Sequence, residues 1–130
     1  MAKSTFNQRL VNMNMREIET KYGVIYGRNA LILSNTALNL HPFEFIVTSS
    51  LSLMACKPSI KNKKDVLIKF SFTDIENLSI YKTDDYPYEK YTASSFDEVE
   101  GEYKRDNKRI VLSTYDHVFD IIGKCEVIYS

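Results

Sequence analysis

The chain has no tryptophan, only four glycines, three prolines and two cysteines among its 130 residues. So little glycine and proline excludes a collagen-like or low-complexity chain. The two cysteines, Cys56 and Cys125, are too few for the disulfide framework of a small secreted domain, and an apolar content of 44% makes such staples unnecessary. No apolar run approaches the ~18 residues of a membrane-spanning helix. The opening residues, Met1 to Arg9, lack the apolar stretch of a signal peptide. Neither charge is in surplus: 17 Lys and Arg balance 17 Asp and Glu, which removes the general reason for binding nucleic acid or an anionic membrane surface. The expectation is one domain over residues 1–130, with reduced thiols and a cytoplasmic location.

What is present is a rhythm of two. Val66, Ile68, Phe70 and Phe72 share one face of a strand, and Lys69 and Ser71 occupy the other. Phe43, Phe45, Val47, Leu51 and Leu53 repeat the pattern as one long bent strand or two shorter ones. After Phe72, Ile75, Leu78 and Ile80 carry it on to Tyr81. A hairpin is expected around Gly27-Arg28-Asn29, joining 22–26 to 30–34, followed by a loop from Asn35 to Pro42. Segments 110–115, 118–122 and 125–129 read as a closing meander with turns at Asp116-His117 and Gly123-Lys124. Near the start, Val11, Met13 and Met15 alternate like a strand, while Phe6, Leu10, Met13 and Glu17 fit a short N-terminal helix. The fold class expected is mainly β: an antiparallel β-sandwich or flattened barrel. Its core should include Phe45, Val47, Val66, Ile68, Phe70, Phe72, Ile110 and Leu112.

Residues 82–109 break the rhythm, and only 91–96 reads there as a strand. Within it, from Asp84 to Glu102, seven carboxylates stand against Lys90 alone: Asp84, Asp85, Glu89, Asp97, Glu98, Glu100 and Glu102. Tyr81, Tyr86, Tyr88, Tyr91 and Tyr103 lie in and around it. Tyrosine offers a large contact area at little rotamer cost, so this combination suits gripping a protein partner. The candidate partner-binding residues are therefore Asp84, Asp85, Tyr86, Tyr88, Glu89, Tyr91 and Tyr103. A compensating basic turn holds Lys57, Lys61, Lys63, Lys64 and Lys69 against Asp65, and a nucleic-acid-binding domain using 57–69 is an alternative reading.

Catalytic and metal chemistry find little support. His41, Cys56, His117 and Cys125 could ligate zinc by type, but no two lie closer than eight residues, whereas structural zinc sites take ligands in close pairs. Ser113, Asp116 and His117 are neighbours on one turn, where the acid cannot reach the far side of the imidazole from the nucleophile. Around Asp97-Glu98-Val99-Glu100-Gly101-Glu102, valine takes a ligand position of a calcium loop and the glycine is misplaced. Gly23 and Gly27 are isolated turn formers rather than a phosphate cradle. No enzyme, cofactor or metal is expected.

The stretch Phe70-Ser71-Phe72-Thr73-Asp74-Ile75-Glu76-Asn77-Leu78-Ser79-Ile80, with the closing Val118 to Tyr129, resembles small all-β immunity proteins and phage-encoded inhibitors. In these bacterial proteins a strand of the form F-x-D-I-x-x-L precedes a C-terminal strand pair. The resemblance implies a stoichiometric, non-enzymatic inhibitor of a toxin or defence protein, as a monomer or small homo-oligomer. A phage structural or assembly protein is the other alternative.

Overall fold

A computed structural model describes residues 14–61, 63–89 and 92–130. The alternating segments become strands: β1 (Met15–Glu17), β2 (Glu19–Thr20), β3 (Gly23–Ile25), β4 (Leu31–Leu40), β5 (Phe43–Leu51), β6 (Cys56–Lys57), β7 (Val66–Lys82), β8 (Phe96–Val99), β9 (Lys108–Ser113) and β10 (His117–Tyr129). Three single turns of 3-10 helix connect them, at Leu53–Ala55, Thr83–Asp85 and Lys104–Asp106. The fold is mainly β, as the alternation implies. Most of the expected N-terminal helix, through Met13, falls outside the described residues, and its last position, Glu17, belongs to strand β1.

Seven strands form one antiparallel sheet in the order β1-β8-β9-β10-β7-β5-β4, and β2-β3-β6 form a second, small sheet. The large sheet folds over itself along its two long strands. The first half of β7 pairs with β5, from Leu51–Val66 to Glu44–Thr73, whereas its second half pairs with β10 alone, which there also pairs with β9. Side chains from the two halves meet across the interior. Phe45 of β5 lies 5.9 Å from Phe119 of β10, and Phe70 of β7 lies 4.9 Å from Phe96 of β8, ring centre to ring centre. The result is a sandwich made mostly from one sheet, not a closed barrel.

The bend is built where three residues of β7, Asp74 to Glu76, stand opposite the single Gly123 of β10. Such bulges sharpen local twist and let a strand turn a corner. A β-carbon on Gly123 would stand 2.7 Å from the Thr73 carbonyl oxygen and 3.3 Å from the Ile75 Cα, so only glycine admits this approach. Asp74 adopts a positive φ of 50°, a conformation Asp and Asn tolerate best among non-glycine residues. Its carboxylate is gripped by the Arg105 guanidinium and by Lys124 Nζ at 2.9 Å. Buried Asn107 donates to the Asp74 carbonyl at 3.0 Å and to Glu76 Oε2 at 2.8 Å. Hydrogen bonds from Arg105 and Lys124 hold the Asp74 carboxyl down at about 2, from an ordinary 3.8.

All eight expected core residues are buried except Val66, which is half-buried at the strand's start. Four local expectations fail. Gly27 makes the expected turn (φ 91°), but β3 and β4 go to different sheets instead of pairing as a hairpin. The true hairpin is β4–β5, with residues 35–40 as strand rather than loop, turning at His41-Pro42. Gly123-Lys124 lies inside one continuous β10, opposite the bulge of β7, rather than at a turn. The strand read at 91–96 is instead β8, Phe96–Val99.

Two measurements test this account. Phe70→Ala should lower the unfolding free energy by about 3–5 kcal/mol, the usual cost of emptying a buried phenylalanine site. Because the folded pKa of Asp74 is depressed, its stabilisation is full above pH ~4 and is lost as pH falls through ~2. Urea titrations across that window should show a shallower acid slope for Asp74→Asn, which keeps the positive φ without the charge.

Candidate functional site

Because two strands, β10 and β9, separate β7 from β8 in the sheet, the connection between them must cross both. It does so over the outer face, away from the main core. Its first turn, Thr83–Asp85, is tied to the β9–β10 turn: the Thr83 N–H donates to the Asp116 carbonyl at 3.0 Å, and Thr83 Oγ1 to the Tyr115 carbonyl at 3.2 Å. Its last residues clamp both sheets. Ser95 N–H donates to the Ile25 carbonyl at 2.8 Å and its carbonyl accepts from Ser113 N–H at 2.8 Å, while the Gly27 N–H donates to Ala93 at 3.1 Å.

Between these ties the tyrosines turn inward. Tyr86 is 5% exposed and packs with Val99, Val111 and Val118 as a second, smaller core, flanked by Met15, Tyr81 and Tyr88. The three rings form an edge-to-face ladder, 5.3 Å from Tyr81 to Tyr86 and 5.5 Å from Tyr86 to Tyr88. Beneath it lies an ion pair between a half-buried guanidinium and a buried carboxylate. Arg109 of β9 donates to Asp120 of β10 through Nε at 2.9 Å and Nη2 at 2.7 Å, and the Tyr86 hydroxyl adds a third hydrogen bond to Asp120 at 2.9 Å. The guanidinium also sits 5.2 Å from the Tyr88 ring centre, a cation–π contact. Burial and then the Asp120 charge push the Tyr86 hydroxyl well above its ordinary pKa, so it stays a donor. The hydrogen bonds to Asp120 likewise raise Arg109.

The seven candidates therefore separate. Asp84, Asp85 and Glu89 are exposed on the crossover, and Tyr88 and Tyr103 are half-buried. Tyr86 is removed from the accessible set, because its ring and hydroxyl are committed to the outer-face core. Tyr91 lies outside the described residues. The acidic run also divides: Asp97 is fully buried on β8 and accepts from Thr92 Oγ1 at 2.8 Å. Glu98 pairs with Arg16 at 3.2 Å and Lys108 at 3.4 Å. Sequence reasoning missed Arg109 and Asp120 as a pair, although their odd and even places on consecutive strands put both on one face.

Beside the crossover is a cleft of about 460 Å³, where Arg28, Thr83, Asp84, Tyr88 and Ser95 meet. A neighbouring depression of about 530 Å³ shares Arg28, Thr83 and Asp84 and adds Lys82, Asp85 and Asp116. Its rim carries more carboxylates than cations. Several hydroxyls here are spent on the fold itself: Ser95 Oγ donates to Gly27 at 2.8 Å, and Thr114 Oγ1 closes the hairpin through the His117 carbonyl and N–H. Among the described residues no three His, Cys, Asp or Glu side chains converge as metal ligands. His41 is exposed on the β4–β5 turn and Cys56 is buried on β6. In the basic turn, Lys61, Lys63 and Lys64 are exposed, and Lys57 lies over the Tyr26 ring at 4.7 Å. Among the described residues no helix is long and apolar enough to cross a membrane. No protein-family model, curated protein or solved structure matches the chain.

Removing Asp120 alone would strand a half-buried guanidinium, so Asp120→Ala should cost about 3 kcal/mol in denaturant unfolding. Tyr86→Phe, which removes one hydrogen bond to a charged group, should cost roughly 1.5 kcal/mol. Replacing Arg109 by Met and Asp120 by Leu together should cost less than Asp120→Ala.

Proposed function

We propose that the chain is a non-enzymatic protein-binding module, a stoichiometric inhibitor or immunity-type protein acting in the cytoplasm of a bacterium or of a phage-infected cell. It grips a basic surface of a toxin or defence protein with the crossover end of the sandwich. Asp84, Asp85 and Glu89 steer the encounter, and Tyr88 and Tyr103 supply contact area. The observation that carries this reading is the preorganised acidic crossover: exposed carboxylates on a segment held from beneath by the Tyr86–Asp120–Arg109 network. A partner surface already fixed in place loses little entropy on binding, and same-sign charges on it accelerate association.

The test begins with affinity capture of the target from bacterial lysate, followed by binding kinetics with the purified target. Asp84→Asn with Asp85→Asn should slow association and flatten its salt dependence while leaving dissociation nearly unchanged. Tyr88→Ala should weaken binding by about 2 kcal/mol. Full affinity in the combined variant would move the interface elsewhere. Steeply salt-dependent binding to nucleic acid, abolished by replacing Lys61, Lys63 and Lys64, would favour the basic turn instead.

A further inference from the structure

The two ends of the large sheet are built differently. β1 is three residues long and carries Arg16 and Glu17, the short charged edge that discourages strand addition. β4 is ten residues long, Leu-Ile-Leu-Ser-Asn-Thr-Ala-Leu-Asn-Leu, without a charge, glycine or proline. It pairs with β5 on one side and with no strand on the other among the described residues. At its start the Leu31 carbonyl accepts from the Tyr115 N–H at 2.8 Å, so the unpaired edge begins beyond Leu31. A register shift between Leu33 and Asn35 then leaves 35–40 as the regular stretch.

This stretch is also apolar on its core-side face. Leu38 stands opposite Phe45 and Leu40 opposite Phe43 across the ladder. Leu38 is 51% exposed, Leu40 65% and Phe43 44%. Ile80, the ladder neighbour of Phe119, is exposed as well. Since Phe45 touches Phe119, these side chains flank the open mouth of the folded sheet.

We infer that β4 pairs antiparallel with β4 of a second copy of this chain, about a two-fold axis through Leu38, joining the two large sheets into one. Three features select a second copy over a foreign strand. A strand without charge meets its own image with no like-charge repulsion, which a charge at the axis would incur against itself. Even-numbered residues of 36–40 share the core-side face, so the two-fold sets Leu38 against Leu38 and Leu40 against Thr36, keeping apolar side chains together on one side. The register shift at Ser34 ends the pairing at one side of the axis and Pro42 ends it at the other, so the contact has one register and closes as a dimer. Roughly five to six inter-chain hydrogen bonds fall at the low end for a specific interface. A reversible dimer with Kd on the order of 10 µM is therefore expected. The inference is independent of the crossover's role, which lies on the outer face.

Sedimentation velocity across concentrations that bracket this Kd tests it. Wild type should move from a 15.1 kDa monomer to a dimer. Leu38→Lys and Leu38→Asp should each stay monomeric, with dimerisation at least tenfold weaker, and an equimolar mixture of the two should recover the dimer by pairing opposite charges at the axis. Because Leu38 is half exposed, both variants should melt as wild type does. Asn39→Lys, on the other face of the strand, gives a second variant that should also dissociate. A wild type that stays monomeric overturns the inference, and so does a Leu38→Lys protein that still dimerises. Failure of the mixed variants to associate overturns the two-fold at Leu38.

Discussion

Everything in this sandwich depends on the corner at Asp74 and Gly123. Without it, β7 and β10 would run on as one long ribbon, and Phe45 and Phe70 would lose Phe119 and Phe96 as neighbours. With it, Phe45 reaches Phe119 and Phe70 reaches Phe96. The corner combines a backbone approach only glycine allows with a positive φ held by two cations on one carboxylate. The exposed charges there stabilise little as isolated ion pairs. Their value lies in fixing one conformation of the Lys104–Asp106 turn and of β7 together, through Asn107 and Lys124.

The outer face uses a different device. A crossover rich in carboxylates would be repelled from a surface bearing Asp120 alone. Arg109 neutralises Asp120 with two hydrogen bonds and offers its flat face to Tyr88, while Tyr86 completes the carboxylate's partners. A largely buried pair of this kind contributes modest net stability, because desolvation offsets much of its Coulomb energy. It does specify geometry: Tyr86 must reach Asp120 while Tyr88 lies beside both Tyr86 and the Arg109 guanidinium. That placement presents Asp84, Asp85 and Glu89 to solvent as a fixed charge pattern, which the proposed interface requires.

Much of the sheet was legible as a period of two, because one face of each long strand meets the core. Phe45, Val47, Ile68, Phe70, Phe72, Ile110 and Leu112 follow directly. β4 was misread because its side chains beyond Leu33 are mostly exposed on both faces, so Asn35 to Leu40 carries no alternation. The break at Gly123 was visible as a glycine, yet a bulge and a turn demand the same residue. The acidic crossover was recognised as a segment but not in its division. Asp97 and Tyr86 share their neighbours' composition, and only the sheet order, which sends the chain across β9 and β10, decides which side chains face inward.

The central claim, that the acidic crossover is held by the Tyr86–Asp120–Arg109 network, is open to a direct measurement. Amide hydrogen exchange followed residue by residue reports local opening free energies along the chain. Amides of Thr83 and Tyr86, and of Ser95 at its end, should be protected nearly as well as those of β9. Protection at Thr83 and Tyr86 should drop selectively in Tyr86→Phe, while β5 and β7 keep theirs. Exchange of the crossover amides at the rate of an unstructured peptide in the wild-type protein would contradict the account.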